Sequence, residues 1–274
     1  MGTGTTPGKG KAREDREFDQ TYLSTEKHGK LVHRDWIAHA MRWGFAHRFC
    51  KGKRVLDVGC GPEWNLGKVL CCHGNMGIRP EHYVGVDLSN IEERSTKYYT
   101  VRGDVDFTAP LTAGIFEMEH GDFDVVCCFE VIEHMSRVAG ERLLENMRLA
   151  CRDDGVVLIS TPRNEGHKPA RNHLHEYGTE ELQACIEAAG LKVDRRFGTF
   201  GDVVKLRKAI SKEIETRCSI DDARDTFKKM KKKAAHLHTF NDLHDYYSDD
   251  VLSCIFAPLY PDACKNNLWV CSHA

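Results

Sequence analysis

Short apolar runs separated by helix-forming stretches constrain this chain most. The runs are Arg54–Val58 (RVLDV), Tyr83–Asp87 (YVGVD), Tyr98–Arg102, Phe123–Phe129 (FDVVCCF) and Gly155–Ser160 (GVVLIS). Between them, Leu66–Cys72, Ile91–Lys97 and Arg142–Cys151 read as helices. Strands that are apolar without alternation need cover on both faces, and crossover helices supply it in a parallel sheet. Beyond the fifth run, Thr179–Ala189 reads as a helix stopped by Gly190. Leu191–Phe197 reads as a sixth strand and Asn267–Cys271 as a seventh.

These elements predict an α/β fold: a Rossmann-like, doubly wound, seven-stranded and mostly parallel sheet, with a helical insertion before the last strand. An amphipathic helix over His33–Cys50 precedes it, because Trp36, Ile37, Ala40, Met41, Trp43, Phe45 and Phe49 recur at helical spacing. The predicted layout is a flexible segment at 1–32, a core at 33–200, an insertion at 201–262 and a final core strand at 263–274. Segment 1–32 is expected to act as a cover over a ligand site, and the insertion to set specificity, since loops carry function on a fixed scaffold.

Composition narrows the class. Of 274 residues, 41% are hydrophobic and 29% charged, which suits a folded domain and not a disordered chain. No run approaches the ~18 apolar residues of a membrane span, and the Gly/Thr/Lys-rich start lacks the apolar core of a secretory signal. A cytoplasmic location is therefore expected. None of the 12 cysteines forms a C-x-x-C pair, so they read as buried free thiols in a reducing compartment, not as zinc ligands. The net charge of −2 hides a contrast. Lys205–Lys233 holds 11 basic and 5 acidic residues, a local +6. That stretch reads either as a solvated helix surface or as a docking patch for nucleic acid.

The chemistry starts at Val55-Leu56-Asp57-Val58-Gly59-Cys60-Gly61-Pro62. Two glycines after a strand let a ligand approach the backbone, and a following helix N-terminus offers free N–H groups. Dinucleotide binding asks for a third glycine, where this chain has Trp64. S-Adenosylmethionine, a cation carrying an ammonium group, suits acidic neighbours instead. Asp57 precedes the glycines and can orient the turn or answer the ammonium. Asp87 ends the second strand, 26 residues beyond Gly61, where a carboxylate can accept ribose hydroxyls. Asp104 follows Gly103 near the third strand end, in reach of an adenine amino group.

At this point the sequence resembles the class I S-adenosylmethionine-dependent methyltransferases. The pieces that carry the resemblance are VLDVGCGP at 55–62, YVGVDLS at 83–89, GD at 103–104, FDVVCCFEVIEHM at 123–135 and DDGVVLISTPRN at 153–164. They cover roughly Lys53 to Phe197. Glu63 departs from the pattern, which often has a further glycine there. The resemblance implies a cofactor site of Asp57, Gly59, Cys60, Gly61, Asp87, Leu88, Asp104, Phe129 and Glu130.

The fourth strand runs into Glu130-Val131-Ile132-Glu133-His134. A helix beginning here would set Glu130, Glu133 and His134 on one face, a set that suits Mg²⁺ or, with its imidazole, Mn²⁺. His167 and then His173-Leu174-His175-Glu176 follow the fifth strand. EVIEH followed by H-x-x-E resembles two metal-assisted groups, the ubiquinone-biosynthesis O-methyltransferases and the small-RNA 3′-terminal 2′-O-methyltransferases. That match implies Glu130, Glu133, His134 and His173 as ligands. Metal-free members of the superfamily also carry E-V-I-E-H. In such a member Glu130 lines the pocket, and His134 or His175 is the candidate general base. The expected acceptor is a small molecule, methylated on oxygen or nitrogen. A nucleic acid or nucleotide is the second reading, and a non-catalytic S-adenosylmethionine-binding regulator the third.

Overall fold

The computed structural model describes residues 34–72, 79–110, 122–202, 204–209, 212 and 257–274. The predicted cofactor cover at 1–32 lies outside them, as does Lys228–Lys233 with most of the insertion.

Helix α1 (Arg34–Cys50) leads into strand β1 (Arg54–Val58). A short helix, α2 (Asn65–Gly67), runs on into a wider helical turn at Lys68–Cys72. Then come β2 (His82–Val86), β3 (Arg94–Ser95), β4 (Tyr99–Arg102) and β5 (Phe123–Phe129). Helix α3 (Arg137–Ala150), β6 (Cys151–Pro162), α4 (Thr179–Ala188), β7 (Leu191–Gly201) and β8 (Cys264–His273) complete the order. Residues 204–209 are helical.

The strands form one sheet in the order β3-β4-β2-β1-β5-β6-β8-β7. Strands β4, β2, β1, β5 and β6 pair in parallel. Strand β8 inserts antiparallel between β6 and β7. The sheet therefore has eight strands, one more than the sequence predicts. The extra strand is β3, antiparallel on the edge beside β4. It occupies part of Ile91–Lys97, which was expected to be a helix. That stretch is mostly charged and exposed, so no apolar face holds it helical, and Arg94 and Ser95 pair with Val101 and Thr100 instead.

Two apolar layers cover the sheet. On one face Leu143, Leu144, Met147 and Ala150 of α3 and Leu182, Cys185 and Ile186 of α4 pack on Leu56, Val126, Val157 and Ile159. On the other, Trp43, Ala46 and Cys50 of α1 pack on Val55, Tyr83, Val125 and Leu158. Each strand thus sends alternate residues into opposite layers, which explains its unbroken apolar run. Ser136 caps α3 by accepting the Ala139 N–H, and Gly190, at φ +81°, ends α4 as expected. The nine cysteines with described side chains are free and buried. No helix among the described residues is long and apolar enough to cross a membrane.

Candidate functional site

The carboxyl ends of β1, β2, β4, β5 and β6 share one edge of the sheet, where ligands bind in open α/β folds. The glycine turn lies there. Gly59 and Gly61 have φ +75° and +68°, a region that costs an L side chain about 1 kcal/mol or more. A Cβ on Gly59 would also sit 2.4 Å from Val131 Cγ2, so the turn is packed against the end of β5. The Gly59 and Cys60 N–H groups donate to the Val86 carbonyl at 2.8 and 3.1 Å. Gly61 donates to Asp87 Oδ2 at 2.8 Å, while Ser89 donates to Oδ1 through its backbone and hydroxyl. Asp87 thereby holds the glycine turn to the end of β2, and Leu88 beside it is 71% exposed.

Asp104 adopts φ +56° and donates its N–H to the Ser89 carbonyl. It lines a cavity of about 570 Å³ with Ile91, Glu93, Arg102 and Val105. The opening beside Asp87, the bare glycine backbone and this cavity fit a nucleoside-bearing cofactor. Phe129 is buried at the end of β5. The Cys60 thiol is buried too, and burial pushes it well up, which keeps it protonated.

Asp57 is placed differently. Its carboxyl is buried on the α1 side of the sheet and accepts from Tyr83 Oη at 2.6 Å. Burial, with a smaller contribution from the Asp87 charge, raises it to about 7 against the hydrogen bond from Tyr83. Glu63, at the departing position, is exposed and pairs with Lys68 at 2.6 Å. Trp64 follows it at φ +38° and stacks on Tyr99 with centroids 4.7 Å apart.

The reacting end splits into two groups. The chain does not enter a regular helix at Glu130. Glu130 takes φ +58° and Ile132–His134 makes a single tight turn. Glu130 falls outside the group of ligand atoms that Glu133 and His134 form with His173. Its carboxylate accepts from Ser160 Oγ at 2.8 Å and Asn266 Nδ2 at 2.5 Å, and lies 3.6 Å from the Arg42 guanidinium. Arg42 also donates to Thr199. Sequence reasoning missed Arg42, Ser160 and Asn266. The signal for Arg42 was a charge inside the apolar stripe of the first helix.

The second group brings ligand atoms of Glu133, His134 and His173 within 4.8 Å of one another. Glu133 is 1% exposed and accepts from Thr161 Oγ1 at 3.0 Å. Burial, then the Glu130 charge, raises its carboxyl well above the usual range. The loop after β6 closes on this turn, since Leu174 and His175 donate their N–H groups to the Glu133 carbonyl at 2.8 and 3.1 Å. His134 Nδ1 lies 3.1 Å from the Asn172 carbonyl, an obligate acceptor, so Nδ1 carries the proton, and Nε2 faces Glu133 Oε1 at 4.0 Å. Burial lowers its pKa, with Asn172 acting against that shift. His173 Nδ1 lies 2.5 Å from Glu176 Oε1, and its ring meets His134 edge-on at 4.9 Å. Metal-bound imidazoles characteristically spend their second nitrogen on a carbonyl or carboxylate. The three side chains fit a divalent cation on that chemistry. His175 lies apart, with Nε2 on Glu181 at 2.9 Å and its ring against Tyr177.

Comparison with known proteins gives the family. A family model described as a methyltransferase domain matches residues 32–195. The ubiquinone biosynthesis O-methyltransferase of Agrobacterium fabrum is 30% identical over 194 residues, covering 62% of this chain and 72% of that protein. That of Paraburkholderia xenovorans is 29% identical over 150 residues, covering 50% and 61%. For Burkholderia vietnamiensis the figures are 31% over 129 residues, 42% and 53%, so the chain spans little more than half of some curated relatives. A chain from the complex of the Haloferax volcanii Trm112 methyltransferase activator with a methyltransferase superposes with TM-score 0.52 at 12% identity, covering 93% of this chain and 95% of that one. That likeness concerns the fold alone. The glycine turn, the five parallel strands around it and the matched family place this chain among the class I S-adenosylmethionine-dependent methyltransferases.

Proposed function

We propose that the protein transfers the methyl group of S-adenosylmethionine to a hydroxyl oxygen of a small-molecule acceptor, assisted by a divalent cation at Glu133, His134 and His173. The observation that carries this reading is the orientation of both imidazoles. Each has Nδ1 facing an acceptor, and a ligand atom of each lies within 4.8 Å of the other and of Glu133. The curated ubiquinone biosynthesis O-methyltransferases to which the chain is similar support the choice of oxygen and of a small acceptor.

The chain's own groups divide the work. The glycine turn, Asp87 and Asp104 would hold the nucleoside, with Leu88 and Phe129 beside them. Asp57 would act from beneath the turn. Glu130, held by Arg42, Ser160 and Asn266, presents a fixed carboxylate at the carboxyl end of β5. Its charge complements the cofactor's sulfonium and ammonium groups. Glu133, His134 and His173 would hold Mg²⁺ or Mn²⁺, which when bound lowers the pKa of a coordinated hydroxyl. Leu174, 71% exposed between two histidines, offers an apolar contact to the acceptor's body. His134 and His173 fit the ligand role better than that of a general base, because a ligand atom of each lies within 4.8 Å of the other and of Glu133.

Chelation followed by re-addition of Mg²⁺ or Mn²⁺ tests the reading. Transfer is expected to stop and return in the wild type. In Glu133→Gln, which keeps the size and the Thr161 bond, added metal is expected not to restore it. Activity that survives strong chelation would remove the cation from the account.

A further inference from the structure

Glu176 is buried, its side chain 3% exposed, and both of its oxygens are in use. Oε1 accepts from the Ala170 N–H at 2.9 Å and faces His173 Nδ1 at 2.5 Å, while Oε2 faces Nε2 of the half-exposed His167 at 3.0 Å. A glutamate carboxylate is an acceptor, and the Ala170 N–H already donates to it, so both imidazole nitrogens that face it are donors.

We propose that Glu176 is the positioning residue of the Glu133–His134–His173 cluster: it holds the His173 ring with its proton on Nδ1 and its Nε2 lone pair aimed at the other two ligands. The role as metal support rests on the cation reading given above, whereas the tautomer does not. Several features of the loop converge on the same result. Asn172, one residue before His173, fixes the His134 ring through its carbonyl, and Leu174 and His175 tie the loop to the Glu133 backbone. Glu176 supplies a hydrogen bond to the ring of His173, which also meets His134 edge-on. The Ala170 N–H braces the carboxylate from behind, and His167 covers its other oxygen toward solvent. Supports of this kind are typically worth 10–100-fold in metal affinity.

The test is made on the full chain, free of metal, by long-range ¹H–¹⁵N spectra of its histidines. In the wild type His173 is expected to carry its proton on Nδ1. Glu176→Ala is expected to lose that preference, and Glu176→Gln to keep it through its carbonyl oxygen. Titration with Mn²⁺ followed by electron paramagnetic resonance gives the second readout. E176A is expected to bind 10–100-fold more weakly than the wild type, with E176Q closer to it, and to add no further loss in a His173→Ala background. Affinity for S-adenosylhomocysteine, measured as a control for the fold, is expected to stay within about twofold, since the glycine turn is built from other elements. A wild-type His173 protonated on Nε2 would overturn the proposal, as would E176A that keeps both the tautomer and the Mn²⁺ affinity. The wild-type spectrum carries the test even if E176A fails to fold. If the wild type shows the expected tautomer but binds no Mn²⁺, the positioning role stands and the cation reading falls.

Discussion

The guanidinium of Arg42 lies 3.6 Å from the carboxylate of Glu130, and the Arg42 side chain is 2% exposed. This pair joins α1 to the end of β5. It is a long-range contact, and among the described residues the ligand atoms that lie within 4.8 Å of one another are those of Glu133, His134 and His173, without Glu130.

Breaking a buried pair leaves its partner charge uncompensated, at a cost of roughly 3–5 kcal/mol. Arg42→Met keeps the volume and removes the charge. It is expected to lose about 3 kcal/mol in urea unfolding, the low end because Ser160 and Asn266 still hold Glu130. Adding Glu130→Gln is expected to recover part of that loss. A loss under about 1 kcal/mol for R42M would show that the pair does not support the fold.

Gly59 tests the turn. An alanine there meets a left-handed backbone at φ +75° and Val131 Cγ2 at 2.4 Å. Gly59→Ala is expected to cost about 2 kcal/mol or more, from backbone strain and overpacking together. Val131→Ala in the same chain is expected to relieve the clash but not the strain. Equal stability of the single and double variants would place the whole cost in the backbone.

Asp87 joins Gly61 to Ser89, and the proposed cofactor site assigns it to the ribose. Asp87→Ala is expected to weaken S-adenosylhomocysteine binding at least tenfold by calorimetry, since a charge-assisted acceptor is lost from both the turn and the ligand. Unchanged affinity would contradict the assignment of the cofactor site.

Asp57 makes stability depend on pH. Its folded-state value is about 7, against 3.8 for the free side chain. Between these values the folded protein keeps a proton that the unfolded chain has released. Stability therefore falls as pH rises from about 4 to about 7, by up to about 1.4 kcal/mol per pH unit, and levels off above. Asp57→Asn retains an acceptor for Tyr83 and is expected to remove this slope in urea unfolding followed across that range. The same slope in both proteins would locate its source elsewhere.

The central strands were legible because each is apolar on both faces. Arg54–Val58 and Phe123–Phe129 appear with the predicted bounds, and the glycine turn follows the first as expected. The edge was less legible. Ile91–Lys97 has no apolar stripe, and whether such a stretch coils or pairs depends on the neighbouring strand, which a local pattern does not show. Spacing alone put Glu130 on a helix face with Glu133 and His134. A single left-handed residue at Glu130 turns it toward partners at 42, 160 and 266, far away in sequence. The cluster of Glu133, His134 and His173 was legible through the resemblance. The supporting roles of Asn172 and Glu176 were not, because a backbone carbonyl has no sequence signature and a buried glutamate looks like any other.

The most direct test of the account follows a labelled methyl group from S-adenosylmethionine into fractionated cell extract, with and without chelator. The account predicts label in the small-molecule fraction as an alkali-stable ether, absent under chelation and restored by Mg²⁺ or Mn²⁺. Label in nucleic acid or protein, or transfer that chelation leaves unchanged, would contradict it.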